Sequence, residues 1–149
     1  MPTPVSPFLA VPREQWVAAN DLSFAIRDIR PLFPGHTLVV PFRLIPDWWS
    51  ASTAERLAVF ELVDLVRAEL LDDQLRALVL PGVGRPDGFN VGFNAGAHAG
   101  QSVMHMHVHV IPRYADATSD PRTAIIEAVT GGHEAPTTST AEPPPRHSP

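Results

Sequence analysis

The chain has 149 residues, a formal net charge of −5 and an apolar content of 44%, a composition typical of one compact soluble domain. Its 11 lysine and arginine residues form no basic run, which argues against polymeric nucleic acid as the main ligand, and the lack of cysteine excludes disulfides and thiolate zinc sites. The chain shows neither a signal-like N-terminus nor a run of about 18 apolar residues, so we expect a cytoplasmic protein without membrane association.

Two strand candidates come first in chain order. The runs LSFAIRDI, from Leu22, and TLVVP, from Thr37, flank the segment RPLFPGH, whose Pro and Gly residues signal a turn, and together they predict a hairpin. Ser52 and Glu55 then have the spacing of a helix capping box. The apolar residues of the next segment that share one helical face are Val59, Leu62, Val63, Val66 and Leu70. One amphipathic helix is therefore predicted.

Two further strand candidates, FNVGFN and MHMHVHVIP, follow a Gly- and Pro-rich loop and are separated by AGAHAGQ. The order strand, strand, helix, strand, strand predicts an α+β domain with the helix on one face of a largely antiparallel sheet. Residues 131–149 are rich in Pro, Thr and Ser and carry almost no large apolar residue. We expect this tail to be disordered and the domain to span residues 6–130.

Three histidines, His105, His107 and His109, alternate with apolar residues. On a strand they would share one face, with the apolar residues on the other. They could bind zinc, copper or nickel, or one could be a nucleophile assisted by its neighbours. Same-face side chains on a strand repeat at about 7 Å. This spacing is wide for three ligands of one ion and favours a row of groups along a polyphosphate chain.

The residues before the histidines support an anionic ligand. Gly100 allows a ligand to approach the backbone, and Gln101 and Ser102 can offer hydrogen bonds to phosphate oxygens. Asn94, at the end of the preceding strand candidate, could hold ribose or phosphate or could simply be a turn residue. Local sequence does not decide between these two roles.

The sequence HMHVHVI, preceded by GQSV, resembles the signature of the histidine triad (HIT) superfamily. Residues 87–114 are similar to the bacterial diadenosine polyphosphate hydrolase-like branch, and PGHTLVVP also matches the superfamily. Asp120-Pro121-Arg122 resembles a short motif found after the triad in that branch. The likeness covers about residues 20–122.

The resemblance implies a five-stranded antiparallel sheet that pairs across a homodimer, and a ping-pong reaction on a dinucleoside polyphosphate or related nucleoside phosphate. His107 would attack the α-phosphate, and water or phosphate would resolve the nucleotidyl-histidine. His109 would contact the leaving group, His105 would support His107 through its backbone carbonyl, and His36 would join the histidine cluster. No resident cofactor is implied, and a divalent metal would enter only with the nucleotide.

The resemblance also implies a nucleotide-binding set. Asp28 would hold the ribose hydroxyls. Phosphate and ribose contacts are implied for Asn94, Gln101 and Ser102. For the base pocket we select Phe8, in the N-terminal segment, and Ile26, which lies two residues before Asp28 on the same strand face.

Some members of the superfamily carry a structural zinc held by cysteines and histidines. Ser6, Leu9 and Leu44 stand at corresponding positions here, so the resemblance implies a domain without this zinc and with apolar packing at that corner. The leading hypothesis is thus an enzyme. Two alternatives stay open: a nucleotide-binding regulatory module with little turnover, and a metal-binding protein.

Overall fold

The computed structural model describes residues 5–117, and within them five strands form one antiparallel sheet. The strands are β1 (Trp16–Ala19), β2 (Ser23–Arg27), β3 (Thr37–Pro41), β4 (Gly88–Gly92) and β5 (Val108–Arg113). Their order is β1-β2-β3-β5-β4, so β1 and β4 form the two edges. The predicted α+β fold with an antiparallel five-stranded sheet is confirmed.

The predicted hairpin is formed by β2 and β3, with Ser23 opposite Pro41 and Arg27 opposite Thr37. The connecting turn ends at Gly35, whose φ of +93° lies in the left-handed region that favours glycine. A Cβ added there would meet Leu70 Cδ2 at 3.0 Å. Glycine therefore lets the turn pack closely and delivers the next residue, His36, to the start of β3.

The predicted helix is α1 (Thr53–Leu71), and both hydrogen bonds of the Ser52–Glu55 capping box are present. Its buried apolar residues are Ala58, Val59, Leu62, Val66 and Leu70, with Val63 partly buried. They pack on one face of the sheet against Val39, Val108 and Val110. Full burial of each large aliphatic side chain contributes about 1.5–3 kcal/mol, so this layer is the main core.

The other face of the sheet carries a second apolar cluster formed by Phe24, Ile26, Leu38 and Val40. The partly buried residues that cover it are Phe8, Val11, Trp16 and Phe42. Leu38 of β3 is directly opposite His109 of β5. Since paired residues point to the same side of a sheet, His109 lies on this second face, away from α1.

Among the strands and α-helices of the described part, two elements were not predicted. Strand β1 has four residues and a register shift between Trp16 and Ala18. A second helix, α2 (Asp73–Val79), begins directly after α1 and is capped by the Asp72 carboxylate, which accepts from two backbone N–H groups. Neither helix of the described part is long and apolar enough to cross a membrane.

The tail of residues 131–149, the end of the predicted domain at residue 130 and the Asp120-Pro121-Arg122 motif all lie outside the described residues. These expectations therefore stay predictions.

Candidate functional site

The histidine segment is only partly a strand, which corrects the prediction that all three histidines share one strand face. Strand β5 begins at Val108, so His105 and His107 precede it. The ladder stops because Pro41 has no N–H to donate and because Met106 N–H donates instead to Ile45 O at 2.7 Å. The rings of His107 and His109 are 5.1 Å apart, less than the repeat of about 7 Å expected from strand geometry.

His107 is held by the backbone of its neighbour. Its Nδ1 lies 2.7 Å from the carbonyl oxygen of His105. A carbonyl can only accept, so Nδ1 carries the proton and Nε2 keeps its lone pair in the neutral ring. No group within residues 5–117 forms a hydrogen bond with this Nε2.

His109 is held by His36. Nε2 of His36 lies 2.9 Å from Nδ1 of His109, and the backbone N–H of Leu32 donates to Nδ1 of His36 at 3.2 Å. Because Nδ1 of His36 accepts, its proton is on Nε2, which donates to His109. In a neutral His109 the proton is then on Nε2, the nitrogen that faces away from His36.

The hydrogen bonds of His36 also indicate whether Asp28, His36 and His109 are arranged to bind a metal ion. Asp28, His36 and His109 offer ligand atoms that all lie within 4.8 Å of one another. A ligating histidine normally donates its other N–H to an acceptor, whereas Nδ1 of His36 receives a hydrogen from Leu32. Nε2 of His36 is thus protonated, and the contacts are those of a hydrogen-bond relay.

Burial sets the charge of the cluster. It lowers the pKa of His36, His105 and His107, with Asp28 opposing this effect at His36 and His107. Burial, followed by repulsion from His107 and His36, lowers the pKa of His109 to about 3. The four rings are therefore neutral near pH 7, which leaves Nε2 of His107 available as a nucleophile.

His105 faces a different set of groups. Its Nδ1 lies 2.6 Å from Ser6 Oγ, and its Nε2 lies 2.8 Å from Pro41 O and 3.1 Å from Arg43 O. The ring is fully buried, so His105 contributes its backbone carbonyl to the site and not its imidazole.

The predicted apolar packing at Ser6, Leu9 and Leu44 is wrong. Leu9 and Leu44 are 40% and 42% exposed, whereas Ser6 is buried and hydrogen-bonded to His105. A serine hydroxyl needs a polar partner when it is buried, and the triad histidine supplies it. Sequence reasoning did not identify Ser6 as part of the site, although its correspondence to a zinc-ligand position of the superfamily was a signal.

The residues predicted to bind phosphate differ in their surroundings. Gln101 is buried, its Nε2 donates to Pro46 O at 2.6 Å and Val103 O at 3.0 Å, and its Oε1 accepts from Gly96 N–H. It holds the loop before the histidines in this conformation. Ser102 is exposed beside it.

Asn94 lies two residues beyond β4 and does not end it, which is a small correction. Phe93 packs against the helix-side core, and the Asn94 side chain is itself buried. Its Oδ1 is the only buried side-chain polar atom without a hydrogen-bond partner in the described part. An unpaired buried polar atom costs about 1–3 kcal/mol, so this side chain suits a ligand contact.

Asp28 follows β2 at the rim of the cluster. Its Oδ2 lies 3.5 Å from His36 Nε2, and its Oδ1 accepts from Arg30 N–H at 2.9 Å. The carboxylate is 17% exposed, so it can reach a ligand while it interacts with His36.

The two base-pocket candidates, Phe8 and Ile26, lie on the same side of the sheet as the His107 ring. The Phe8 ring meets the His107 ring edge-on with centroids 4.9 Å apart. Phe8 also packs against the second apolar cluster, which contains the buried Ile26. An apolar surface thus adjoins a nucleophilic nitrogen, a ring N–H donor and a carboxylate, an arrangement that fits a nucleoside phosphate.

Comparison with known proteins agrees with this geometry. The family profile for the HIT domain matches residues 11–116. AP-4-A phosphorylase of Mycobacterium tuberculosis is 38% identical over 119 residues, covering 75% of this chain and 55% of the relative. Bis(5'-adenosyl)-triphosphatase of Dictyostelium discoideum is 34% identical over 98 residues, covering 63% of this chain and 56% of the relative. The chain spans about half the length of these curated relatives.

Solved structures give the same family. A HIT-like protein of Bartonella henselae, involved in cell-cycle regulation, superposes with a TM-score of 0.56 at 29% identity, covering 68% of this chain and 70% of that one. The NitFhit protein of C. elegans gives a TM-score of 0.60 at 26% identity, covering 79% of this chain and 26% of that one. Because the family match extends over most of the described residues, the chain belongs to the HIT domain family.

Proposed function

We propose that the protein is a nucleotide hydrolase or nucleotidyl transferase that acts at the α-phosphate of a dinucleoside polyphosphate. The observation that carries this proposal is the 2.7 Å contact between His107 Nδ1 and the His105 carbonyl, which leaves Nε2 unpaired in a ring that the apolar Phe8 side chain contacts. The names of the relatives, a diadenosine tetraphosphate phosphorylase and a diadenosine triphosphatase, support the substrate class.

In the first step, the Nε2 lone pair of His107 forms a bond to the α-phosphorus while the bond from phosphorus to the bridging oxygen breaks. The imidazole becomes positively charged, and its Nδ1–H then donates to the His105 carbonyl more strongly. This interaction stabilises the developing charge more than the ground state, which is the condition for catalysis.

His109 would stabilise the leaving group. Its Nε2–H, fixed by the His36 bond to Nδ1, can donate to the bridging oxygen as negative charge develops there. A polyphosphate leaves as an anion, so this step needs a hydrogen bond and no full proton transfer.

In the second step, water or inorganic phosphate attacks the same phosphorus and His107 leaves as a neutral imidazole. Water yields the nucleoside monophosphate and releases a proton, whereas phosphate yields the nucleoside diphosphate. The two relatives are named for these different outcomes, so product analysis with and without phosphate separates hydrolysis from phosphorolysis.

The test of the proposal is a covalent adduct on His107. Protein mixed with diadenosine polyphosphate and quenched without acid should carry a nucleotidyl group on the peptide Met104–Arg113, detected by mass spectrometry. His107→Ala should lose both the adduct and turnover while it still binds nucleotide. His109→Asn is the matched variant: it should still form the adduct, but slowly. Near-normal kcat in His107→Ala would refute the assignment.

The runner-up function is a nucleotide-binding regulatory module with little turnover. The unpaired Asn94 Oδ1 and the partly exposed Asp28 serve binding whether or not chemistry follows. Tight nucleotide binding with neither adduct nor product, across diadenosine polyphosphates and adenosine phosphoramidates, would establish this second function.

We also propose a homodimer formed through β4. This strand is at the edge of the sheet, and Val91 in it is 46% exposed. Beside it, Trp49 lies against Phe93, and Trp48 packs between Phe60 and Phe93. Trp49 and Phe60 are both exposed. A second copy that pairs along β4 would cover the open strand edge and this apolar surface.

A further inference from the structure

Ser6 connects the N-terminal segment to the triad. It is 4% exposed, and its Oγ lies 2.6 Å from Nδ1 of His105, a residue 99 positions later in the chain. The backbone N–H of Phe8 donates to the same Oγ at 3.3 Å. The hydroxyl is thus enclosed between a main-chain donor and a buried imidazole.

The direction of the Ser6–His105 bond follows from the other ring nitrogen. Nε2 of His105 faces the carbonyl oxygens of Pro41 and Arg43, which can only accept, so Nε2 carries the proton. Burial lowers the pKa of His105 and keeps the ring neutral. Nδ1 is therefore an acceptor, and the Ser6 hydroxyl donates to it.

The position of the His105 backbone depends on these side-chain bonds. Strand β5 begins only at Val108, so no sheet ladder holds the main chain at His105. The nearest main-chain bond runs from Met106 N–H to Ile45 O at 2.7 Å. The ring of His105, fixed at both nitrogens, supplies the remaining restraint on the carbonyl that receives His107 Nδ1–H.

We propose that Ser6 is a positioning residue for the nucleophile: its hydroxyl orients the His105 ring, and the His105 backbone in turn orients His107. Ser6 contacts no substrate and acts through His105. The kinetic part of this inference rests on the proposed function, whereas the effect on ring orientation and tautomer does not.

The test compares Ser6→Ala, which removes the hydroxyl, with Ser6→Thr, which keeps it. Ser23→Ala is the control, because Ser23 is also a buried serine, but its hydroxyl donates to Asn20 Oδ1 at 2.8 Å and to no histidine. Ser6→Ala should lower kcat about tenfold, the effect of one hydrogen bond, while KM for diadenosine polyphosphate stays unchanged. Ser6→Thr should retain more kcat than Ser6→Ala, and Ser23→Ala should retain all of it.

A second measurement is independent of activity. Long-range proton–nitrogen NMR spectra should show His105 with a protonated Nε2 and an accepting Nδ1, and His107 with a protonated Nδ1. Ser6→Ala should shift the His105 Nδ1 and His107 ring signals, and Ser23→Ala should leave both in place. Shifted signals in a protein that turns over no substrate would support positioning and refute the proposed function. Unchanged ring signals, or a kcat loss no larger than that of Ser23→Ala, would overturn the role of Ser6.

Discussion

The Arg43 guanidinium contacts both carboxylate oxygens of Glu55, with Nε 2.7 Å from Oε1 and Nη2 2.8 Å from Oε2. Glu55 also closes the capping box of α1 by accepting from Ser52 N–H. The carbonyl oxygen of Arg43 accepts from His105. One ion pair therefore joins the start of the core helix to the segment after β3 that receives the triad.

Replacing Glu55 should destabilise the fold in two steps. Glu55→Gln keeps a capping-box side chain but loses the charged pair, and it should lower the free energy of unfolding only modestly because the Arg43 side chain is mostly exposed and solvent screens the pair. Glu55→Ala loses the cap as well and should cost about 1 kcal/mol more. Urea unfolding at neutral pH measures both, with Asp64→Ala, an exposed carboxylate of the same helix, as the control. Equal losses in the Glu55 and Asp64 variants would contradict this account.

The buried histidines should make stability fall in acid. Burial lowers the pKa of His109 from 6.5 to about 3, so the unfolded chain binds a proton that the folded protein excludes. A lowered histidine pKa gives stability that is complete above pH 6.5 and is lost as the pH falls from 6.5 toward 3. The wild-type Tm should therefore decline in this range, and His109→Asn should show a shallower decline. Parallel curves for the two proteins would show that His109 is not the titrating group.

Glu55 makes a separate contribution to the loss of stability in acid. Its pKa is lowered to about 2, so the stabilisation that it provides is present above pH 4.5 and is lost toward pH 2.

The sequence predicted those elements whose apolar residues recur at a clear spacing and whose ends are marked by capping or turn residues. TLVVP has the bounds of β3, and α1 begins directly after the predicted capping residue Ser52. Strand β1 was missed because four residues are too few to show a period. Helix α2 was missed because its apolar residues Leu75, Leu78 and Val79 are exposed and do not mark one buried face.

The site was predictable in its residue types but not in its internal bonds. The alternating histidines identify the triad, whereas the bonds of Ser6 to His105 and of His36 to His109 join residues 99 and 73 positions apart. Contacts of this kind depend on how the strands pair, and no local pattern encodes them. Gln101 shows the same limit, since its amide satisfies three backbone groups that only the folded loop brings together.

The proposed dimer predicts that a charge on β4 will separate the subunits. Val91→Glu puts a carboxylate on the exposed edge strand, where a paired copy would bury it without a partner. Sedimentation velocity should show a dimeric wild type and a monomeric variant. Ile29→Glu is the control, because Ile29 is 89% exposed in the β2–β3 turn, and it should stay dimeric. A monomeric wild type at micromolar concentration, or a dimeric Val91→Glu protein, would remove β4 from the interface.

Asp28 allows two roles to be separated by one pair of variants. As the proposed ribose ligand it would supply hydrogen bonds, and as a neighbour of His36 at 3.5 Å it supplies negative charge that raises the pKa of His36 and His107. Asp28→Ala loses both and should raise KM and the nucleotide Kd about tenfold, the effect of one or two hydrogen bonds. Asp28→Asn keeps polar atoms for the ribose and loses only the charge, so KM should change less.

The charge of Asp28 is tested by the pH profile of Asp28→Asn. Without the carboxylate the pKa of His107 falls further, and the acid limb of the kcat/KM profile should move to lower pH. Asp21→Ala, which removes an exposed carboxylate before β2, serves as the control and should change neither quantity. If Asp28→Ala leaves KM and nucleotide affinity unchanged, Asp28 does not hold the ribose; if the Asp28→Asn profile coincides with that of the wild type, its charge does not act on the nucleophile.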